Sequence, residues 1–357
     1  MPIISNDLGK GIYTLAVNRT DNLEFELNNT IITGTGTPIE NNPALLKRAN
    51  KKTITNAVVL AMIDIALENG DTKFVKRYWN TYYCQTKLTS TEGRYHCNWC
   101  KNRWCANCCG IRKAHILNKY YPIISNWEEP HLLTLTVKAV KAYKLENRID
   151  EIAKAFSRIK DRCNKRHYRG KGMKLMGIKS LECNFNATMQ TYNPHFHIIT
   201  PNRQTALYLK QEWQKEWNKD FFQAGEKGQD LRKVKNTERD LVEVIKYGAK
   251  ILTDPDPTNK RKRAKGDMAG LHIYPYALHT IYKAFDRHHL FRSFGIKLPE
   301  SENVISTERT VTDFENWIYK PKLMDWQNSI TGKLLTEYEI DSYLEYILKT
   351  CINKDLN

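Results

Sequence analysis

Six of the chain's nine cysteines lie between Cys84 and Cys109, five of them in the run CNWCKNRWCANCC. So many thiols in so short a stretch must either bridge one another or share a metal. The total is odd and the cysteines are clustered, which suits metal binding in a reducing compartment better than a disulfide framework. Cys97 with Cys100, and Cys105 with Cys108, form two C-x2-C pairs, each able to clip one ion. Only four residues separate the pairs, which is short for a zinc ribbon, so Cys84 is an alternative to Cys97 as fourth ligand. A small Cys-rich module holding structural Zn²⁺ is expected. Cys163, Cys183 and Cys351 read as ordinary core or surface thiols.

Charge points to the partner. The 56 Lys and Arg outnumber the 39 Asp and Glu, a net charge of +17 that favours a polyanion, above all nucleic acid. Residues 158–174 hold eight cations, and KRKRAK follows at 260–265. Arg158, Arg162, Lys165, Arg166, Arg169 and Lys171 are therefore expected to meet phosphates. The best apolar run, 57–67, is interrupted by Asp64 and falls well short of the roughly 20 residues a membrane span needs. The N-terminus has no basic flank followed by an apolar stretch. A cytoplasmic protein away from membranes is expected.

Four regions are expected along the chain. Residues 1–52, rich in Asn, Thr and Gly, read as a flexible arm. Residues 53–125 read as a helical and Cys-rich module. Residues 126–298 carry the main domain, and 299–357 a helical tail. Within the main domain, the strand-like run 131–137 precedes an amphipathic helix at 145–163. Two strands follow, 178–185 and 195–200, then helices at 206–217 and 237–252. That order implies an α+β fold, an antiparallel sheet with helices on one face and the other face free to carry a site.

NPHFHIIT places His195 and His197 two residues apart. In a strand both imidazoles face one way, while Phe196 and Ile198 face the core. In IKSLECNF, alternation puts Ser180, Glu182 and Asn184 on the polar face, so a hairpin brings Glu182 beside the histidines. Two imidazoles and a carboxylate with open positions can hold Mg²⁺ or Mn²⁺. Thr134 and Thr136 should face the same way, and no chemistry is assigned to them.

In TERDLVEVIKYGAKIL, a rotation of about 100° per residue gathers Leu241, Ile245, Gly248 and Leu252 into an apolar stripe. Tyr247 stands away from the stripe, with Glu243 one turn before it and Lys246 and Lys250 on the same polar side. Thr237 and Asp240 resemble an N-terminal capping pair. A phenol so placed can act as a nucleophile, and the lysines would favour its phenolate and hold phosphate oxygens.

HLLTLTV, NPHFHIIT and EVIKYGAK, in that order and spacing, resemble the three motifs of the bacterial plasmid rolling-circle replication initiators. These are single-tyrosine members of the HUH (His-hydrophobic-His) endonuclease superfamily. CKNRWCANC resembles that family's upstream cysteine motif, and FDRHHLFRSFGIK a basic segment near its end. The resemblance covers roughly 84–297. It implies an HUH-like fold and a metal-dependent nicking enzyme, with His195 and His197 as metal ligands and Glu182 as the third. It implies Tyr247 as the nucleophile forming a 5′-phosphotyrosine and leaving a 3′-OH primer. It assigns Glu243 to activating water in the terminating cleavage, and matches Lys250 to the lysine that ends the motif. Origin DNA, double-stranded and extruded as a single strand, is the implied partner, with host helicase and DNA polymerase. Two rivals remain: a relaxase or transposase of the same superfamily, and a non-catalytic zinc-containing DNA-binding repressor. The latter has no use for Tyr247.

Overall fold

The computed structural model describes residues 30–34, 36–39, 42–219, 221–244, 272–298, 308–337 and 342–353. The N-terminal elements are β1 (Thr30–Thr33), β2 (Thr37–Pro38), α1 (Asn42–Glu68), α2 (Thr72–Tyr82), β3 (Lys87–Thr91), β4 (Arg94–Cys97) and α3 (Ala106–Ile124). Next come β5 (His131–Thr136), α4 (Leu145–Tyr168), β6 (Gly177–Asn186), β7 (Thr191–Thr200), α5 (Arg203–Trp217), β8 (Asp230–Lys233) and α6 (Thr237–Val244). The chain continues with α7 (Pro275–Ala284), β9 (Phe291–Phe294), β10 (Glu308–Val311), β11 (Glu315–Lys320), β12 (Asp325–Asn328) and α8 (Ser342–Tyr346). They form two compact units, one from 1–45, 85–98 and 302–337, the other from 46–84, 99–301 and 338–357. No helix among the described residues is long and apolar enough to cross a membrane.

The first unit corrects two expectations. Within the supposed arm, β1 pairs with β10 and β2 with β4. Helix α1 begins at Asn42, ahead of the expected boundary at 53. The supposed helical tail holds three strands within 308–328: β10 pairs with β1, and β11 and β12 join a five-stranded sheet of order β12-β11-β3-β4-β2. The cause is legible in ENWIYK: Trp317 and Tyr319 alternate inward with the strand period of two. Trp317 donates its indole N–H to Ser90, and Trp326 donates to the Gln85 carbonyl, so the buried rings also satisfy their polar atoms.

The second unit is built on a five-stranded sheet of order β8-β5-β7-β6-β9, antiparallel throughout. Its first face follows from alternation. Leu133 and Leu135 of β5, Leu181 and Cys183 of β6, and Phe196 and Ile198 of β7 are all buried in one core. Helix α4 covers them with Ile149, Ile152, Phe156, Ile159 and Cys163, spaced three or four apart. Helix α5 adds Leu209 and Trp213, and its first turn is capped by the Asn202 side chain accepting from the Thr205 N–H at 2.9 Å. Each such side chain contributes roughly 1.5–3 kcal/mol of transfer free energy on burial. After β9, Gly295 takes φ +67°, and a Cβ there would lie 2.2 Å from the Leu175 carbonyl oxygen. Only glycine fits that close approach.

Helices also lie on the second face, contrary to the expected one-sided arrangement. Leu132, Ile178 and Ile199, on the histidine side of their strands, need apolar cover. They obtain it in a second core from Ile116, Tyr120 and Ile124 of α3 and Leu241 and Val244 of α6. The second face is thus half sealed. Among the described residues, the end carrying Thr134, Thr136, Glu182, His195 and His197 is left for a site.

Candidate functional site

The central strand β7 carries both histidines, and register brings the rest of the group to them. Glu182 is paired directly with His195, and Ser180 with His197. On the other side, Thr136 is paired with His195 and Thr134 with His197. The two imidazole Nε2 atoms are 3.2 Å apart, and Glu182 Oε2 is 3.7 Å from the His197 Nε2. The carboxylate and both imidazoles lie within 4.8 Å of one another. Glu182 and His195 are buried and His197 is half-buried.

The other ring nitrogens are held. His195 Nδ1 donates to the Asn193 carbonyl at 2.9 Å, and His197 Nδ1 shares a 3.1 Å hydrogen bond with the Thr134 hydroxyl. Such partners fix the ring and leave Nε2 with its lone pair turned to the shared point. Thr134 therefore has a role that the sequence reading did not give it. The signal was present: HLLTLTV alternates, and antiparallel pairing sets Thr134 against His197. The group fits a divalent cation by donor chemistry and by convergence.

A second group gathers four thiols, Cys84, Cys100, Cys105 and Cys108, again within 4.8 Å. Cys84 Sγ lies 3.6 Å from Cys108 Sγ and 3.8 Å from Cys105 Sγ, and Cys100 Sγ lies 3.5 Å from Cys108 Sγ. A tetrahedron with metal–sulfur bonds of about 2.3 Å has edges of about 3.8 Å, so these spacings suit one four-coordinate ion. Hydrogen bonds from Cys105, Cys108 and Cys84 hold the Cys100 thiol below its ordinary range, while hydrogen bonding to Cys100 pushes Cys84 and Cys105 up. The buried Lys52 ammonium donates to the Tyr82 and Cys84 carbonyls and fixes the chain entering the cluster.

This corrects the first ligand set, Cys97, Cys100, Cys105 and Cys108. Cys97 ends β4, paired with Leu88, and belongs to the first unit. Cys84, at the end of the helical segment, stands in its place.

A family model described as replication protein matches residues 93–265, a stretch that contains both histidines, Glu182 and three of the four clustered thiols. Over that stretch the chain is similar to the replication-protein family. A "Protein rep" of a Bacillus species is 29% identical over 161 residues, 42% of this chain and 50% of that protein. A "Protein rep" of Staphylococcus aureus is 28% identical over 206 residues, 50% of this chain and 86% of that protein. The chain thus spans about half the length of the Bacillus relative and most of the staphylococcal one. No solved structure matches it.

Tyr247, Lys246 and Lys250 lie outside the described residues. Glu243 belongs to α6, and its side chain lies outside the described residues. The cap of α6 is Asn236, which accepts from the Arg239 N–H at 2.8 Å, rather than Thr237. Asp240 reaches back to the Lys235 N–H at 3.1 Å. Leu241 is buried as expected, and Val244 is buried beside it.

The predicted phosphate contacts on α4 sit on the layer that covers the Phe196 face, across the sheet from the histidines. Arg158 pairs with Glu216, Arg162 with Glu212 and Glu216, and Arg166 with Glu212. Both glutamate side chains are 3% exposed. These three arginines therefore tie α4 to α5. Lys165, Arg169 and Lys171 are exposed.

Proposed function

We propose that this chain is a plasmid rolling-circle replication initiator with an HUH-like nicking domain, cleaving and rejoining one origin strand through Tyr247. The observation that carries the reading is the convergence of Glu182, His195 and His197 on the sheet face over which α6 packs. Tyr247 follows Val244, a buried residue of that helix, by three positions.

A divalent cation, Mg²⁺ or Mn²⁺, held by Glu182, His195 and His197 would supply Lewis-acid polarisation of the scissile phosphate. Thr134 and the Asn193 carbonyl keep the imidazoles turned toward it. The Tyr247 phenol loses its proton, favoured by Lys246 and Lys250, and its oxygen attacks phosphorus. The bond from phosphorus to the 3′ oxygen breaks, and that oxygen takes up a proton. The products are a 5′-phosphotyrosine and a 3′-OH, the primer for a host polymerase working with a host helicase. The covalent link conserves the bond for rejoining, which hydrolysis would not. Glu243 then activates water for the terminating cleavage. In the cysteine module, Cys84, Cys100, Cys105 and Cys108 hold structural Zn²⁺.

Incubation with supercoiled DNA bearing the origin and Mn²⁺ should yield nicked circles carrying covalent protein. Tyr247→Phe should abolish the adduct while origin binding stays within a few-fold. Glu243→Ala should nick but fail to release at termination. Normal nicking by the Phe variant would remove Tyr247 as nucleophile.

A further inference from the structure

A single exposed apolar side chain needs no explanation. The loop after α5 exposes two in a row, Phe221 at 76% and Phe222 at 63%. The loop is closed at its base. Asn218 Oδ1 accepts from the Gln223 and Ala224 N–H groups at 2.9 and 3.0 Å, and Asn218 Nδ2 donates to the Ala224 carbonyl at 3.0 Å. The outward display of the rings is therefore built into the loop.

Cations surround these rings. The Lys138 ammonium is 5.8 Å from the Phe222 ring centroid, and the Arg148 guanidinium is 5.6 Å from that of Trp217. Phe221 and Trp217 line an open groove of about 400 Å³ with Arg148, Lys154, Arg158 and Lys219. Glu151 and Glu216 are the acidic residues of that lining, so five cations, Lys138 included, face two carboxylates. Lys138 and Lys154 form no ion pair among the described residues.

The patch is joined to the histidine site by hydrogen bonds. The Lys138 N–H donates to the Gln223 carbonyl at 3.0 Å. Thr136, paired with His195, donates its N–H to Gln229 Oε1 and its hydroxyl to the Gly228 carbonyl. Lys138 follows Thr136 by two residues, about 7 Å of extended chain. These hydrogen bonds tie the loop that carries the rings to the β5 residues beside His195.

Aromatic faces that accept any base, next to cations that follow a backbone, suit unpaired nucleic acid. A duplex keeps its bases stacked inside and offers the rings nothing. We infer that Phe221 and Phe222, with Lys138, form a base-stacking platform for single-stranded DNA. The inference deepens the strand-nicking reading and rests on it for which strand is bound.

The test is fluorescence anisotropy with the full chain and a labelled oligothymidylate of about twelve nucleotides, within the span such sites occupy. The same-length duplex is measured in parallel, without divalent ions, at fixed salt. A stacked ring contributes at least about a 5-fold gain in affinity, the low end for base stacking. Phe221→Ala with Phe222→Ala should therefore weaken single-strand binding about 25-fold or more and duplex binding less than about 3-fold. Phe221→Trp with Phe222→Trp should retain binding, which separates lost stacking from a damaged fold. Unchanged single-strand binding in the Ala variant, or equal loss for both DNA forms, would overturn the platform. So would self-association through the rings, seen by sedimentation without DNA, if single-strand binding is unaffected. Cleavage plays no part in this assay. A failed platform beside an inactive Tyr247→Phe leaves the nicking reading standing, and the converse result removes only that reading.

Discussion

Replacing Cys84 and Cys97 separately by serine distinguishes the two ligand sets that spacing left open. The Sγ separations of 3.6 and 3.8 Å involve Cys84, and the four-thiol group excludes Cys97. A four-ligand zinc site in a small domain contributes roughly 10–16 kcal/mol of apparent binding free energy at neutral pH. Shared evenly, one thiolate contributes about 2.5–4 kcal/mol, or roughly 10²–10³ in affinity. Cys84→Ser should therefore lose zinc to a competing chromophoric chelator at a concentration where the parent chain keeps one ion. Cys97→Ser should keep it, because that side chain lies at the end of β4 opposite Leu88. Zinc is counted by mass spectrometry after dialysis, and the competition gives the affinity ratio. Zinc loss from Cys97→Ser with retention in Cys84→Ser would refute the four-thiol geometry.

Two further outcomes are expected. Thr134→Val removes the hydroxyl that holds His197 Nδ1 and should weaken Mn²⁺ binding about 10- to 100-fold, read by electron paramagnetic resonance, with Thr134→Ser restoring it. An unchanged affinity would mean that β7 alone orients the ring. The second outcome concerns acid stability. Burial opposes ionisation of Glu216, but hydrogen bonds from Arg158, Lys219 and Arg162 override it and hold the carboxyl at about 2. Its folded value lies below the unfolded one near 4.5, so its contribution is full above pH 4.5 and is lost as pH falls toward 2. Thermal melts of Glu216→Gln should accordingly lie below those of the parent at pH 6 and converge with them near pH 2. A constant gap across that range would place the effect in packing rather than charge.

The grouping of Glu182, His195 and His197 was legible because a strand has a period of two. Once residues 178–185 and 195–200 are antiparallel neighbours, alternation alone puts Glu182 on the face of His195, and the register pairs them directly. The Cys84 assignment was not legible. The chain leaves Cys84, forms β3 and β4, and returns at Cys100, so the ligand set depends on a fold that spacing does not encode. The arginine row was misjudged for a different reason. Arg158, Arg162 and Arg166 recur every four residues, as do Glu212 and Glu216, and two helices with such rows can zip together. A run of cations read by itself hides its partners 46–58 residues away. The strands at 308–328 were missed because a mixed tail was averaged, when ENWIYK alone carries the strand period.

The half-sealed second face ties packing to the proposed chemistry. Ile199 stands two residues beyond His197 on the same side of β7, and it is covered by the core that α3 and α6 share. An apolar contact therefore fixes where the last described turn of α6 lies relative to the histidines. The apolar residues at one end of these strands and the ligands at the other are thus parts of one arrangement. The first end anchors α6, and the second gathers Glu182, His195 and His197.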